Sequence, residues 1–316
     1  MSYAAHRLHA GERIWPEANC YVDLWIELLH DRGLEPLAAT AFALTADFEG
    51  DQWTFFKPPL ADLGVLYGVE IEELNVWRSL VDHLAVQLAR GRNVIVEVDS
   101  YFLPDTAGTT YHEAHGKTAL AVREIDVAAQ TLAYFHGAGL HRLSGADFPG
   151  AFRLADPALP PYVELVKWRR APLTGAARAD AAWALMRAHT RRIPDDNPVA
   201  ALQARFAADV TWLHGEPPAS FHAYAFAMLR PLGAAAELAA LGLQWLAGEG
   251  APPSGVDGAA VATAATELLG LAAAAKTLQF KLARAVNGKR ALDGAALQPL
   301  VDGWARAIAA LRSTLG

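Results

Sequence analysis

The pattern of apolar residues changes near residue 175, and this change limits the folds open to the chain. Up to about residue 150, segments with apolar residues three or four positions apart alternate with segments in which every second residue is apolar. These are the patterns of helices and strands, respectively. From about residue 175 onward, alanine- and leucine-rich segments with helical spacing are separated by proline and glycine. The sequence therefore predicts an α+β fold with an all-α second half.

Two domains follow from this division, because 316 residues are about twice the length of a typical domain of ~150 residues. We assign residues 1–150 to an α+β domain and residues 151–316 to a helical domain. Residues 149–172 are rich in proline and read as the connection between them. The helices predicted in the second half span residues 176–193, 197–213, 219–247, 256–286 and 293–315.

Composition and charge exclude several classes of protein. Hydrophobic residues make up 53% of the chain and charged residues 19%, so the chain can bury a large core. The net charge is −7 and no Lys/Arg-rich run is present, so we expect no nucleic-acid partner. The longest apolar segments, residues 231–248 and 268–275, contain or end at a charged residue. Both fall short of the ~20 strongly apolar residues of a membrane span, so we expect no membrane association.

The single cysteine, Cys20, cannot form an intramolecular disulfide or a cysteine-built zinc site. The first residues lack the charged and then apolar pattern of a signal peptide. Both observations predict a protein of the reducing cytoplasm.

Several elements can be placed in the first half. Asn19 precedes a helix that ends at Gly33, so Cys20 lies in its first turn. Strands are predicted at 54–59 and 94–99, and residues 117–126 and 130–136 read as a hairpin. Residues 60–68 and 71–90 read as helices, whereas 37–48 fits either a helix or a strand.

Cys20 is the first candidate for chemistry. Free backbone N–H groups and the positive end of the helix dipole stabilise a thiolate at this position and could bind an oxyanion. A cysteine that only fills space in a core is the alternative. Asn19 could help to bind the oxyanion, or it could act only as the helix N-cap.

The second candidate is the segment Tyr111-His112-Glu113-Ala114-His115-Gly116-Lys117-Thr118, which comes directly before a strand. A histidine held at the start of a strand can serve as the base of a cysteine–histidine pair. One alternative is a metal site in which His112 and His115 act with Glu113 or Asp99. Another is that His112 only orients the loop. We predict no bound metal.

The order of these features resembles the papain-like superfamily, in particular the bacteriocin-processing cysteine peptidases and the N-terminal domain of the butirosin-type aminoacyl transferase. The likeness is carried by Asn19-Cys20 with the helix to Gly33, by VEVDSYFLPD at residues 96–105, and by YHEAHGKTALAVREID at residues 111–126. It covers roughly the first 140 residues. The whole chain also looks like an uncharacterised bacterial domain-of-unknown-function family that is noted beside small carrier proteins and their amino-acid-loading ligases.

The resemblance implies a papain-like first half, with a helix that bears the cysteine and an antiparallel sheet that bears the histidine, packed on the all-α second half. It implies Cys20 as nucleophile and His115 as base. We place Asp126 as the third catalytic residue, and Asp99 and His136 remain open for that role. In the peptidases an Asp or Asn follows the second hairpin strand, where this chain has His136 instead.

Acyl transfer is the reaction that the resemblance implies. The expected donor is a carrier protein whose 4'-phosphopantetheine thioester holds the acyl group, and the expected acceptor is an amine or another small molecule. We expect no cofactor bound to the chain itself. A peptidase or amidase with the same residues is one alternative, and a non-catalytic carrier-binding protein with a decayed site is another.

Further residues are candidates for substrate binding. In the first half they are Asn19, Asp99, His112 and Lys117. In the second half they are His222, Arg230 and Lys276, which stand on otherwise apolar helices and could meet a carboxylate or the pantetheine phosphate. Their alternative role is that of an ordinary helix surface.

Overall fold

The computed structural model describes residues 3–154, 160–249 and 252–316. Two compact units divide the chain: Met1–Pro36 with Leu63–Pro172, and Leu37–Asp62 with Leu173–Gly316. The first unit combines helices with one antiparallel sheet, and the second is helical. The predicted α+β class is therefore confirmed.

Among the residues that the structure describes, the first unit contains six strands and most of the short helices. The helices are α1 (Arg7–Ala10), α2 (Cys20–Asp31), α3 (Leu60–Tyr67, which includes the boundary at residue 62), α4 (Leu80–Ala89) and α5 (Asp147–Ala151). The strands are β1 (Val69–Glu73), β2 (Asn93–Asp99), β3 (Lys117–Asp126), β4 (Thr131–His136), β5 (Gly139–Ser144) and β6 (Val163–Trp168). Their order in the sheet is β1-β6-β2-β3-β4-β5, and all neighbours are antiparallel.

Strand β6 changes the domain division that the sequence suggested. It comes from residues 149–172, which were read as a connection, yet it lies in the sheet between β1 and β2. The first unit therefore extends to Pro172 rather than to residue 150, and residues 37–62 are grouped with the second unit. Residues 155–159 of the predicted connection lie outside the described residues.

The sheet has two different faces, because side chains alternate along each strand. Val94, Val96 and Val98 of β2 join one apolar cluster with residues of α4 and α5, and we call this side the α4 face. The residues between them point to the other side, where Arg32, at the end of α2, donates a hydrogen bond to Asn93. We call this side the α2 face.

Helix α2 forms as the sequence predicts. The Asn19 Oδ1 atom accepts hydrogen bonds from the backbone N–H groups of Tyr21 and Val22, which caps the first turn. The chain leaves the helix through Gly33, whose φ of 69° is a conformation that favours glycine. Cys20 is therefore the first helical residue, and it is partly buried.

The second unit follows the predicted helical pattern. It contains a 3-10 helix (Pro36–Thr45, whose first residue still belongs to the first unit), α6 (Gly175–Thr190), α7 (Pro198–Leu213), α8 (Pro218–Tyr224), α9 (Arg230–Gly248), α10 (Gly258–Asn287) and α11 (Gln298–Leu315). A π-helical turn, Ala225–Leu229, joins α8 to α9 directly before Pro231. Proline has no N–H to donate within a helix, and the wider turn accommodates this loss.

Three local predictions differ from the structure. Residues 71–90 were expected to form one helix, but they begin in β1 and become helical only at Leu80. The segment 54–59 forms no strand, and β5 was not predicted. The ambiguous segment 37–48 lies mostly in the 3-10 helix. Pairing with the distant strand β6 makes a strand of residues 69–73, and Pro58 and Pro59 oppose a strand at 54–59.

Two helical stretches are long and apolar enough to cross a membrane by length and composition, namely Pro218–Gly248 and Gly258–Asn287. The most apolar window has a mean hydropathy of 1.3 in the first stretch and 1.5 in the second. Both stretches are longer than the apolar segments 231–248 and 268–275 that the sequence pattern indicates. The most apolar windows are 72% and 39% buried inside the protein. Core helices of soluble proteins pass the same test, so the expectation of no membrane partner stays a prediction.

Candidate functional site

A histidine and a carboxylate meet where β2 ends and β3 begins. The His115 Nδ1 atom lies 2.6 Å from the Asp99 Oδ2 atom. The other carboxylate oxygen accepts hydrogen bonds from the backbone N–H groups of Tyr101 and Gly116. The ring of His115 also stacks on the Tyr101 ring, with 4.4 Å between centroids. These contacts fix the orientation of a side chain that is 69% exposed.

The charge state of Asp99 determines which nitrogen of His115 is basic. Burial raises the pKa of Asp99, but the hydrogen bonds from His115 and from the two backbone N–H groups outweigh it, and the pKa lies below its ordinary value. An ionised carboxylate can only accept, so Nδ1 of the neutral ring carries the proton. The Nε2 atom is then the one that can accept a proton.

The segment that contains Cys20 crosses the α2 face above these two strands. Before Cys20, Glu17 lies against Gly137 at the end of β4, since a Cβ atom on Gly137 would be 3.0 Å from the Glu17 Oε1 atom. After Cys20, the Tyr21 hydroxyl donates to Glu164 of β6 over 2.5 Å. Because β2 and β3 lie between β6 and β4, residues 17–21 span the strands whose ends carry Asp99 and His115.

The register places Asp99 on the α2 face of the sheet, while His115 stands at the strand end, beside a cavity that Val98, Ala151 and Phe152 of the α4-face cluster also line. Glu164 is paired with Ile95, and Asp99 has the same parity along β2 as Ile95. Asp99 is paired in turn with Lys117, two residues after His115. The Cys20 thiol has no hydrogen-bond partner in the part of the chain that the structure describes.

A cavity of about 450 Å³ opens beside His115, and we call it the His115 cavity. Its described lining residues are Glu97, Val98, Asp99, His115, Gly116, Lys117, Ala151, Phe152, Arg153, Pro160, Pro161 and Tyr162. The Lys117 ammonium group lies 2.6 Å from the Glu97 carboxylate, so this predicted binding residue is held by an ion pair at the cavity wall.

Tyr162 connects the His115 cavity to the first turn of α2. Its hydroxyl donates to Glu164 Oε1 over 2.9 Å, while Glu164 Oε2 accepts from Tyr21, the residue after Cys20. Burial and the neighbouring Glu164 carboxylate raise the pKa of Tyr162 to about 12, so the phenol stays protonated and remains a donor. Glu164 itself is 1% exposed. The local sequence pattern does not reveal this link, because Glu164 comes from the unexpected strand β6.

Asp126 lies away from the histidine. It is the last residue of β3, whereas His115 precedes the first, and its carboxylate accepts from Ala129 N–H in the hairpin turn. Asp99, which the sequence left open for the third role, is the carboxylate that contacts His115.

His136 was the other open candidate, and it belongs to a different cluster. Its Nδ1 atom lies 2.5 Å from Asp105 Oδ2 and its Nε2 atom 2.8 Å from Thr118 Oγ1. Asp105 also accepts from the Tyr134 hydroxyl. Tyr134 is part of the α4-face cluster and Thr118 is paired with Val98 of that cluster, so His136 faces away from α2. Counting strand parity from Tyr134 would have found this placement.

The remaining candidates have other partners. The side-chain oxygen of Asn19, Oδ1, caps the N-terminus of α2. His112, which has a φ of 54°, holds its Nε2 atom 2.9 Å from the Asp147 carboxylate, beside Tyr111, which bonds the same carboxylate. His112 therefore fastens the loop to the start of α5, and its role in substrate binding stays a prediction.

The three candidates in the second half all belong to the second unit. His222 is exposed on α8, and the Arg230 guanidinium lies 5.0 Å from the centroid of the Phe226 ring. Lys276 is partly buried on α10. Their role in substrate binding stays a prediction.

A metal centre receives no support from the described residues. Within residues 3–154, 160–249 and 252–316, no group of three or more His, Cys, Asp or Glu side chains could hold a metal ion. His112 and His115 instead bind different carboxylates, Asp147 and Asp99.

Comparison with known families assigns most of the chain. Residues 4–168 match the DUF1839 N-terminal domain, and residues 175–313 match the DUF1839 C-terminal domain. The chain therefore belongs to this two-domain family, whose function is uncharacterised. The limits of the two matches agree with the end of the first unit at Pro172. No curated protein matches the chain significantly.

Proposed function

We propose that the chain is a cysteine-dependent acyl or aminoacyl transferase with Cys20 as nucleophile, His115 as base and Asp99 as the residue that orients the base. The observation that carries this proposal is the Asp99–His115 pair at the ends of the strands that residues 17–21 cross on the α2 face, the face to which Asp99 belongs. A nucleophile at a helix start, a base on a neighbouring strand and a carboxylate behind the base form the general arrangement of nucleophilic catalysis.

The reaction has two steps. In the first, His115 Nε2 takes the thiol proton and the Cys20 sulfur attacks the thioester carbonyl. A new C–S bond forms, the old one breaks, and the departing thiolate receives the proton from His115. In the second, an amine attacks the acyl-Cys20 carbonyl. A C–N bond forms, the C–S bond to Cys20 breaks, and the proton lost by the amine returns to Cys20 through His115.

The donor class comes from the likeness to papain-like aminoacyl transferases. It is an acyl group on the 4'-phosphopantetheine of a carrier protein, with a small amine as acceptor. Because Asn19 occupies the N–H groups of Tyr21 and Val22, the oxyanion that forms on the carbonyl would be stabilised by the Cys20 N–H and by the positive end of the helix dipole. Each carboxylate of the His115 cavity has a partner, Lys117 for Glu97 and His115 for Asp99, so the class of the acceptor rests on the same likeness.

The test is to trap the acyl-enzyme. The protein is incubated with the acetyl thioester of N-acetylcysteamine, which mimics the end of the pantetheine arm, and its intact mass is measured with and without an added amine. We expect one acetyl group on Cys20, none in Cys20→Ala, and a rate at least about 100-fold lower in His115→Ala. His112→Ala is the matched control, because that histidine binds Asp147 instead, and it should react like the wild type.

The same experiment separates the rival functions. Transfer of the acetyl group to the amine supports the transferase, whereas release of acetate at a rate independent of the amine identifies a hydrolase. If Cys20→Ala turned over the thioester as fast as the wild type, the proposal would be wrong, and a non-catalytic carrier-binding role would take its place.

A further inference from the structure

A second cavity adjoins the His115 cavity. It has a volume of about 510 Å³, and we call it the Trp77 cavity. Its described lining residues are Val76, Trp77, Arg78, Ser79, Leu80, Phe152, Arg153, Leu154, Pro160 and Pro161. Phe152, Arg153, Pro160 and Pro161 also line the His115 cavity, so the two cavities share a wall. Either volume is in the range of about 300–1,000 Å³ of small-molecule sites.

The apolar part of the wall suits an aromatic ring. Leu80 and Phe152 are buried at the wall, whereas the indole of Trp77 is 77% exposed. A large aromatic surface left in water is unfavourable, and aromatic rings gain further energy by stacking on one another. Trp77 therefore offers a face to a planar apolar group inside the cavity.

The polar part of the wall is positive. The cavity is lined by Arg78 and Arg153 and by the Ser79 hydroxyl, which makes no capping hydrogen bond to α4. None of its described lining residues is acidic, and Arg78 has no carboxylate partner among the described residues. The Arg78 guanidinium lies 5.4 Å from the centroid of the Trp77 ring. A carboxylate placed there would complete the pairing that a guanidinium favours.

The two cavities thus differ in charge along their shared wall. The Trp77 cavity has two arginines and no acidic residue among its described lining residues. The His115 cavity holds Arg153 and Lys117 together with Glu97, which is paired with Lys117, and Asp99, which is paired with His115, so carboxylates that can attract an amine stand only on this side. A ligand that matches both sides carries a carboxylate and an aromatic group at one end and an amine at the other. These are the groups of an aromatic amino acid.

We infer that the Trp77 cavity binds the carboxylate and the ring of an aromatic amino acid, whose amine points into the His115 cavity. The assignment of this amino acid as the acyl acceptor rests on the function proposed above, whereas the binding site itself does not. The amine would then be the group that forms the C–N bond as acyl-Cys20 is resolved.

Calorimetric titration with L-phenylalanine tests the site. We expect binding to the wild-type protein that weakens at least about tenfold in Trp77→Ala and in Arg78→Gln. Trp77 and Arg78 are exposed, so both variants should fold, and circular dichroism checks this. Trp212→Ala removes an indole that is 53% exposed on α7 and serves as the matched control, with unchanged affinity. Phenethylamine, which lacks the carboxylate, should bind more weakly and should not respond to Arg78→Gln.

The outcomes distinguish the site from the proposed function. The site would be overturned if L-phenylalanine did not bind the wild type. It would also be overturned if Trp77→Ala and Arg78→Gln bound L-phenylalanine as tightly as the wild type does. Cys20→Ala should bind L-phenylalanine like the wild type, because the site does not need the thiol. Binding that depends on Trp77 and Arg78 in a protein that forms no acyl-Cys20 would uphold the site and reject the acceptor role together with the proposed function.

Discussion

At the scale of single residues, a substitution that removes only the charge of Asp99 tests its role beside His115. In Asp99→Asn the amide still accepts a hydrogen bond, but it no longer requires a proton on His115 Nδ1 or stabilises the imidazolium that forms during the reaction. We expect kcat for thioester cleavage to fall at least about 100-fold while KM changes little.

The matched control for this variant is Asp126→Asn, which removes the same charge from the hairpin turn at the far end of β3. Steady-state kinetics of the two variants across a range of pH make the comparison. Equal losses in both, or full activity in Asp99→Asn, would contradict the assignment of Asp99.

The site shows which of its features can be predicted from local sequence patterns. Asn19 as a helix cap and Cys20 in the first turn follow from local chemistry alone, and the structure confirms this local geometry. The partner of His115 does not follow, because Asp99 reaches it across a strand pair rather than along the chain. Glu164 was out of reach for the same reason, since it meets Tyr21 only after a strand from a proline-rich segment enters the sheet.

At the scale of elements, the N-terminal segment is fastened to α2 by a buried histidine. The side chain of His9 is fully buried between the carboxylates of Asp23 and Glu27. Burial lowers the pKa of His9, but the hydrogen bonds to these two carboxylates and their charges outweigh it and raise the pKa from 6.5 to about 9. The folded protein therefore keeps a proton that the unfolded chain loses first as the pH rises.

This shift predicts the pH dependence of stability. The contribution of His9 is complete below pH 6.5 and is lost as the pH rises through about 9. The free energy of unfolding should fall over this window by up to about 3 kcal/mol, since one pKa unit corresponds to about 1.4 kcal/mol. Urea unfolding followed by tryptophan fluorescence measures it. His9→Gln should flatten the slope and the exposed His222→Gln should leave it unchanged, and a slope that survives in His9→Gln would refute the assignment.

A second prediction concerns the packing of α9 within the second unit. Gly242 lies against the buried Thr40, and a Cβ atom at Gly242 would be 2.0 Å from Thr40 Oγ1 and 3.2 Å from Thr40 Cβ. Gly242→Ala should therefore destabilise the protein by about 1–3 kcal/mol, even though alanine is the better helix former.

Gly270 of α10 provides the control, because a Cβ atom there has no neighbour within 4 Å. Gly270→Ala should stabilise the helix by up to about 1 kcal/mol. Thermal unfolding should therefore show a lower Tm than the wild type for Gly242→Ala and a higher Tm for Gly270→Ala. A stabilising Gly242→Ala would show that the helix can move away from Thr40.

The same scale shows which elements a sequence can reveal. The long helices of the second half and the β3–β4 hairpin follow from spacing, because their partners are close in sequence or their apolar face is continuous. The strands β1 and β6 do not follow from spacing. Each is short and is stabilised by pairing with the other, although about half of the first 170 residues lie between them in the sequence. Their pairing with each other, rather than their composition, makes them strands.

At the scale of the whole molecule, the position of β6 predicts where the chain cannot be cut. A fragment of residues 1–150 matches the division that the sequence pattern suggests, but it lacks the strand that pairs with both β1 and β2. In its absence β1 has no partner in the sheet and one edge of β2 is left with unpaired backbone groups. Glu164 and Tyr162, which connect the His115 cavity to α2, are lost as well.

We therefore expect the fragment 1–150 to remain without cooperative unfolding and to aggregate, while the full chain unfolds cooperatively. Residues 37–62 add to this effect, because the fragment keeps their buried apolar side chains but lacks the helices of the second unit with which they are grouped. Near-ultraviolet circular dichroism and urea titration of the two proteins compare them directly. A fragment with a fixed aromatic signal and a sharp transition would mean that β6 is dispensable, and the boundary near Pro172 would then have no structural basis.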